Sequence, residues 1–138
     1  MFKLMIEPAK NKKPEEFPSL VLAYVGDAVY ELAIREFLVG QGFIKVNQLH
    51  REAVKYVRAG AQAKALFALE DQLSEQEMAV VRRGRNAKSG TPPRGADIVE
   101  YRHATALEAL IGYLYLQGKQ DRVGEIVDFA IEVISREG

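Results

Sequence analysis

Two carboxylates stand in this sequence where little around them suits a charge. Asp27 interrupts the apolar run of residues 20–38, LVLAYVGDAVYELAIREFL, and Glu108 lies inside ATALEALIGYLYL. Side chains three and four apart on a helix share a face. Asp27 therefore neighbours Ala23, Tyr24, Tyr30 and Glu31, and Glu108 neighbours Ala104, Thr105, Ile111 and Gly112. An ionised carboxylate in such company costs several kcal/mol, or keeps its proton, unless something offsets its charge. Either acid alone has a plain explanation: an arginine from another helix, or a helix edge that reaches water. Two of them, in the two most apolar stretches of a 138-residue chain, point to a shared cation.

The chain has no cysteine, which excludes disulfides, thiolate zinc and iron–sulfur clusters. Any metal must be held by oxygen or by the two histidines. Magnesium fits oxygen ligands best, because it uses few carboxylates and keeps waters that a phosphate can replace. A rival is the Glu100-x-x-His103 spacing of carboxylate-bridged iron proteins. Such bundles need two copies and two further glutamates, and one copy is present. His50, among charged neighbours, reads as a surface histidine.

Net charge is zero, with 19 basic and 19 acidic residues, but the charges are unevenly placed. Residues 82–94 hold Arg82, Arg83, Arg85, Lys88 and Arg94 and no acid. A basic segment is commonly just solvated, yet beside a metal site it becomes a candidate for phosphate binding.

The elements that must bring these groups together read as helices. Pro8, Pro14 and Pro18 make residues 1–18 an irregular lead-in, after which Ser19 is placed to cap the first helix. That helix is apolar on most faces and ends near Gly40 and Gly42. Val46, Leu49, Ala53 and Tyr56 mark a second helix, and the alanine-rich 59–69 a third, with Gly60 near their junction. Ser74 and Glu77 form a capping box for a fourth helix that should stop at Gly84. Residues 84–96, with RNAKSGTPPRGA, read as a basic flexible loop. Asp97 with Glu100 opens a fifth helix running toward Gly118, and Asp121 caps a sixth with Val123, Ile126, Val127, Ala130, Ile131 and Ile134 at helical period. The class is all-α, about six helices in a single domain of residues 1–138. No apolar run reaches the ~20 residues of a membrane helix, and the first residues lack the plan of a secretory signal, so a cytoplasmic protein is expected.

The segment AYVGDAVYELAIREFL resembles the signature of the ribonuclease III catalytic domain, and LEALIGYLYL resembles that domain's second catalytic segment. Their order and separation fit as well. RRGRNAKSGTPPRGAD followed by YRHATALEALIGY is similar to the Mini-ribonuclease III branch, which has no double-stranded-RNA-binding domain. The resemblance implies a magnesium-dependent endoribonuclease, with manganese able to substitute, that cuts double-stranded RNA as a homodimer and matures the large-subunit (23S) ribosomal RNA precursor. It implies Asp27 and Glu108 as the metal-binding catalytic carboxylates. Where the larger family has two further acids this chain has Ala23 and Thr105, so Glu31, Thr105 or water would complete the metal shell. With the chain ending at Gly138, RNA binding is expected from Arg82, Arg83, Arg85, Asn86, Lys88 and Arg94, with Ser89 and Thr91 on 2′-hydroxyls. The missing acids also keep open a non-catalytic dimeric RNA-binding or scaffold protein of the same fold.

Overall fold

Residues 13–87, 92 and 94–136 are described by the computed structural model. After a short 3-10 turn at Pro14–Glu16 come α1 (Ser19–Gly40), α2 (Val46–Val57) and α3 (Ala59–Leu69). A second such turn, Glu70–Gln72, leads to α4 (Glu75–Asn86), α5 (Ile98–Leu116) and α6 (Gln120–Arg136). No strand occurs among the described residues. No helix there is long and apolar enough to cross a membrane.

The apolar pattern dictates which helix lies innermost. ATALEALIGYLYL has no polar stripe, and α5 is accordingly buried without a break from His103 to Leu107 and from Ala109 to Leu114. Four helices pack around it, α1 most extensively, with α4, α3 and α6 on its remaining sides, while α2 packs chiefly on α1. Leu22, Tyr30, Ile34, Leu66, Leu107, Leu110 and Ile111 are fully shielded from water. Each leucine or isoleucine so placed contributes about 1.5–3 kcal/mol relative to leaving it exposed. In α6 the apolar stripe buries Val123, Ile126, Val127, Ala130 and Ile134, with Ile131 at its half-exposed margin.

Glycines decide how closely the helices approach. A Cβ placed on Gly26 of α1 would stand 1.7 Å from the Glu108 carbonyl oxygen. One on Gly112 of α5 would stand 1.9 Å from the Leu22 carbonyl oxygen. The two backbones therefore touch where α1 crosses α5. Gly84 does the same for α4, with its would-be Cβ 2.9 Å from Ala106 Cα. That explains why α4 continues two residues beyond Gly84 to Asn86: this glycine permits close packing and does not stop the helix. The basic loop correspondingly starts at Ala87, and residues 88–91 and 93 lie outside the described part.

Capping follows chemistry where the geometry allows. Ser74 Oγ accepts from the Glu77 amide at 3.1 Å while the Ser74 amide donates to Glu77 Oε1 at 2.9 Å. Asp97 accepts from the Glu100 amide at 3.1 Å, but the Glu100 carboxylate lies beside Gly60. Ser19 is already helical, with Pro18 in the capping position and unable to supply a side-chain acceptor. Asp121 likewise sits inside the first turn of α6, where its charge favours the helix dipole.

Glu77 also receives Arg122 from α6 as a fork, Nε to Oε2 and Nη2 to Oε1, both at 2.9 Å. Arg122 Nη2 donates in addition to the Gln72 carbonyl at 3.0 Å. This hydrogen-bonded arginine holds the Glu77 carboxyl below its ordinary value of 4.5, against a smaller opposing effect of burial. An acid with a depressed folded-state pKa stabilises above its unfolded value and loses that contribution as pH falls through the folded one. Arg122→Ala should therefore cost about 2 kcal/mol near neutrality. In urea unfolding, the gap to wild type should narrow as pH drops below 4.5.

Candidate active site

The α1–α5 crossing fixes where Asp27 and Glu108 meet. Asp27 follows Gly26 directly, and the carbonyl that Gly26 abuts is that of Glu108. With the backbones touching, the two carboxyl groups come within hydrogen-bonding reach of one another. Asp27 is exposed and Glu108 half-buried, so the pair opens to solvent from Asp27's side. Burial, and then the negative charge of Asp27, push the Glu108 carboxyl up to about 8. A hydrogen bond from Gln62 works against the rise, the hydrogen bond with Asp27 adds to it, and Glu31 adds least.

Glu31 lies one turn along α1 from Asp27, half-buried, and lines a groove of about 490 Å³ between α1 and α2 with Arg35 and His50. Thr105 is buried one turn before Glu108, and its hydroxyl donates to the Tyr101 carbonyl at 3.0 Å. That proton is committed to its own helix. His103 is held by the Val99 carbonyl at 2.7 Å from Nδ1, with its ring 4.5 Å from that of Phe67. Neither His103 nor any other histidine joins a cluster: among the described residues no three His, Asp or Glu side chains converge to hold a metal.

Two residues of the site escape a reading of motifs. Gln62 on α3, 2% exposed, donates from Nε2 to the Val57 carbonyl at 2.9 Å and to Glu108 Oε2 at 3.3 Å. Its signal was a lone amide on the Ala/Leu face of AGAQAKALFAL. Tyr30 is fully buried beside Glu108 and donates to the Tyr56 carbonyl at 2.8 Å. Burial first, then Tyr56 and Glu108, push its phenol further up, so it stays neutral.

The donor set suits a hard divalent cation. It is all oxygen, a cation would relieve the repulsion between the acids, and two carboxylates with waters are enough for magnesium. Of the residues expected to bind RNA, Arg82, Arg83 and Asn86 are exposed in the last turns of α4, Arg85 is half-buried and Arg94 is exposed before α5. Arg83 Nη1 donates to the Glu15 carbonyl at 3.1 Å, fastening the segment that precedes α1. Lys88, Ser89 and Thr91 lie outside the described residues.

Residues 20–119 match the family model described as Ribonuclease III domain. The chain is 54% identical over 127 residues to the Mini-ribonuclease 3 of Brevibacillus brevis, covering 92% of this chain and 95% of that one. It is 50% identical over 123 residues to the Mini-ribonuclease 3 of Symbiobacterium thermophilum, covering 89% and 95%. A crystal structure of a Fusobacterium nucleatum protein superposes with a TM-score of 0.79 at 31% identity, over 88% of this chain and 98% of the other. The chain thus belongs to the ribonuclease III family, in its Mini-ribonuclease 3 branch, and is an endoribonuclease.

Proposed function

We propose that the protein hydrolyses phosphodiester bonds in double-stranded RNA with magnesium held by Asp27 and Glu108, as one catalytic domain of residues 1–138. The observation that carries this reading is the glycine-lined crossing, which presses two carboxylates together although burial, and then the charge of Asp27, drive Glu108 toward protonation. Such a pair is unfavourable by itself and favourable around a cation. Magnesium, when bound, supplies Lewis-acid polarisation of the scissile phosphate and activation of water. The chain's part is to hold that ion at a solvent-facing edge through Asp27, to anchor it from the half-buried side through Glu108, and to keep Tyr30 neutral beside them. Manganese can take the same oxygen ligands. The expected products carry 5′-phosphate and 3′-hydroxyl ends.

The natural substrate is the large-subunit ribosomal RNA precursor in the cytoplasm, and the working unit is a homodimer with two sites cutting opposite strands. Supporting the dimer, α1 leaves an apolar outer face uncovered: Tyr24 is 82% exposed, with Leu20 and Val21 beside it at 40% and 42%. Apolar side chains left exposed at neighbouring positions of one helix suit burial against a second copy.

The test is incubation of the purified protein with a long RNA duplex, a single strand and a DNA duplex, in magnesium or in chelator. Cleavage should be confined to the RNA duplex with magnesium. Duplex binding without any cleavage would replace this reading with that of a scaffold.

Arg82, Arg83, Arg85, Asn86, Lys88 and Arg94 are the proposed RNA-binding residues. Alanine at Arg83, Arg85 and Lys88 should weaken duplex binding and flatten its salt dependence, the logarithmic slope falling by about 1 for each phosphate no longer neutralised. Arg83 has a second duty at the Glu15 carbonyl, so Arg85→Ala is the cleaner single variant. Binding isotherms across a salt series decide it, and an unchanged slope would remove this segment from the interface.

A further inference from the structure

Neither the paired carboxylates nor the packing of the core accounts for Gln62. It comes from a third helix, is 2% exposed, and uses Nε2 on both the Val57 carbonyl and Glu108. The Val57 carbonyl can only accept, and it is the nearer partner, so it fixes which way round the amide sits. Turned over, the amide oxygen would face that carbonyl oxygen. The consequence falls on Oε1, which is buried and finds no donor among the described residues. Buried carbonyl oxygens are nearly always satisfied, so one left over beside an acidic pair calls for a donor that arrives with a ligand. A hydrated divalent cation brings such donors, because its waters are polarised and point their hydrogens outward.

We infer that Gln62 is a positioning residue for the cation: Nε2 holds the Glu108 carboxylate in its binding orientation, and Oε1, closed off from solvent by its neighbours, accepts from a water of the hydration shell once those side chains part to admit the hydrated ion. This rests on the reading of Asp27 and Glu108 as cation ligands. It also gives sense to Ala23 and Thr105, where the larger family has acids. Thr105 turns its hydroxyl to the Tyr101 carbonyl, and Ala23 has nothing to offer. A neutral amide orders water at the site without adding a third negative charge to a pair that already repels.

The experiment measures manganese binding to the RNA-free protein by loss of the free-ion spin-resonance signal, for wild type, Gln62→Met and Asp27→Asn. Methionine keeps length and volume but removes donor and acceptor. The expected result is a native-like circular dichroism spectrum for Q62M with manganese affinity lowered about 10- to 100-fold, the usual effect of losing a group that orients a metal's ligands. The magnesium midpoint for RNA cleavage should rise by a similar factor, with a smaller change in rate at saturating metal. A folded Q62M that binds manganese like wild type overturns the proposal while leaving the cation site standing, provided D27N weakens binding. Binding that D27N also leaves unchanged overturns the site itself, and the role of Gln62 with it. If Q62M does not fold, Gln62→Asn is judged by the same criterion, since its shorter side chain carries the amide out of reach of Glu108.

Discussion

Glu108→Gln should abolish cleavage and at the same time stabilise the metal-free protein at alkaline pH. The loss of activity should reach at least about 10³-fold, or about 4 kcal/mol in the transition state, since on the proposed reading an anionic ligand of the catalytic ion becomes a neutral one. The gain in stability comes from the raised carboxyl. In the unfolded chain Glu108 loses its proton near 4.5, but in the folded one burial and Asp27 hold it on to about 8. Between these values the folded state binds more protons than the unfolded state, so wild-type stability falls as pH rises and levels off above about 8. Glutamine has the same shape and no charge. Relaxation and water entry on the Asp27 side make the effect smaller than the full shift, on the order of 2 kcal/mol. Thermal melts in chelator should show E108Q several degrees above wild type at pH 8.5 and level with it at pH 5, and added magnesium should raise wild type alone. Asp27→Asn should lose activity as E108Q does and lower the Glu108 carboxyl only in part, because burial, the larger cause of its rise, remains. Retained cleavage in either variant, or an E108Q melt below wild type at pH 8.5, would refute the assignment.

Gly26→Ala should be among the most damaging single methyl additions available to this fold. The new Cβ would lie 1.7 Å from a backbone oxygen of α5, and no rotamer can move a carbonyl aside. The helices must part by roughly 1.5 Å to restore normal separation, undoing packing along the largest interface of the molecule. We expect a loss of about 3 kcal/mol or more, at the upper end of overpacking costs. Because Asp27 is the next residue and Glu108 owns the displaced carbonyl, activity should fall even where the variant stays folded. Gly124→Ala is the control with the opposite sign. Gly124 lies within α6 with nothing inside 4 Å of its would-be Cβ, so alanine should stabilise by about 0.5–1 kcal/mol. Urea unfolding of the two variants side by side tests the argument, and equal stabilities would sink it.

Much of this molecule can be read without coordinates. Hydrophobic period, the Ser74 capping box and the density of apolar residues around Asp27 and Glu108 mark the helices to within a few residues. These signals are local, each written in four to twenty consecutive positions. The end of α4 is not written locally, because glycine has two meanings. At Gly84 it makes room for α5 and the helix continues, and only the neighbour across the gap tells this from a stop signal. Gly26 is likewise a place where α1 comes close to α5, which only the neighbouring helix reveals.

The helical class, the family and two acids too poorly accompanied to be ordinary are legible in the order of residues. The tertiary structure alone decided that α1 and α5 cross at those acids, that Glu108 is the half-buried, proton-retaining member, and that Arg83 is fastened to the Glu15 carbonyl. It also supplied Gln62 and Tyr30. The reason is physical: a motif records residues joined along the chain, whereas the charge state and partners of a carboxylate depend on what is packed against it. Gln62 lies 46 positions from Glu108, so only the packing of α3 on α5 brings its amide to that carboxylate.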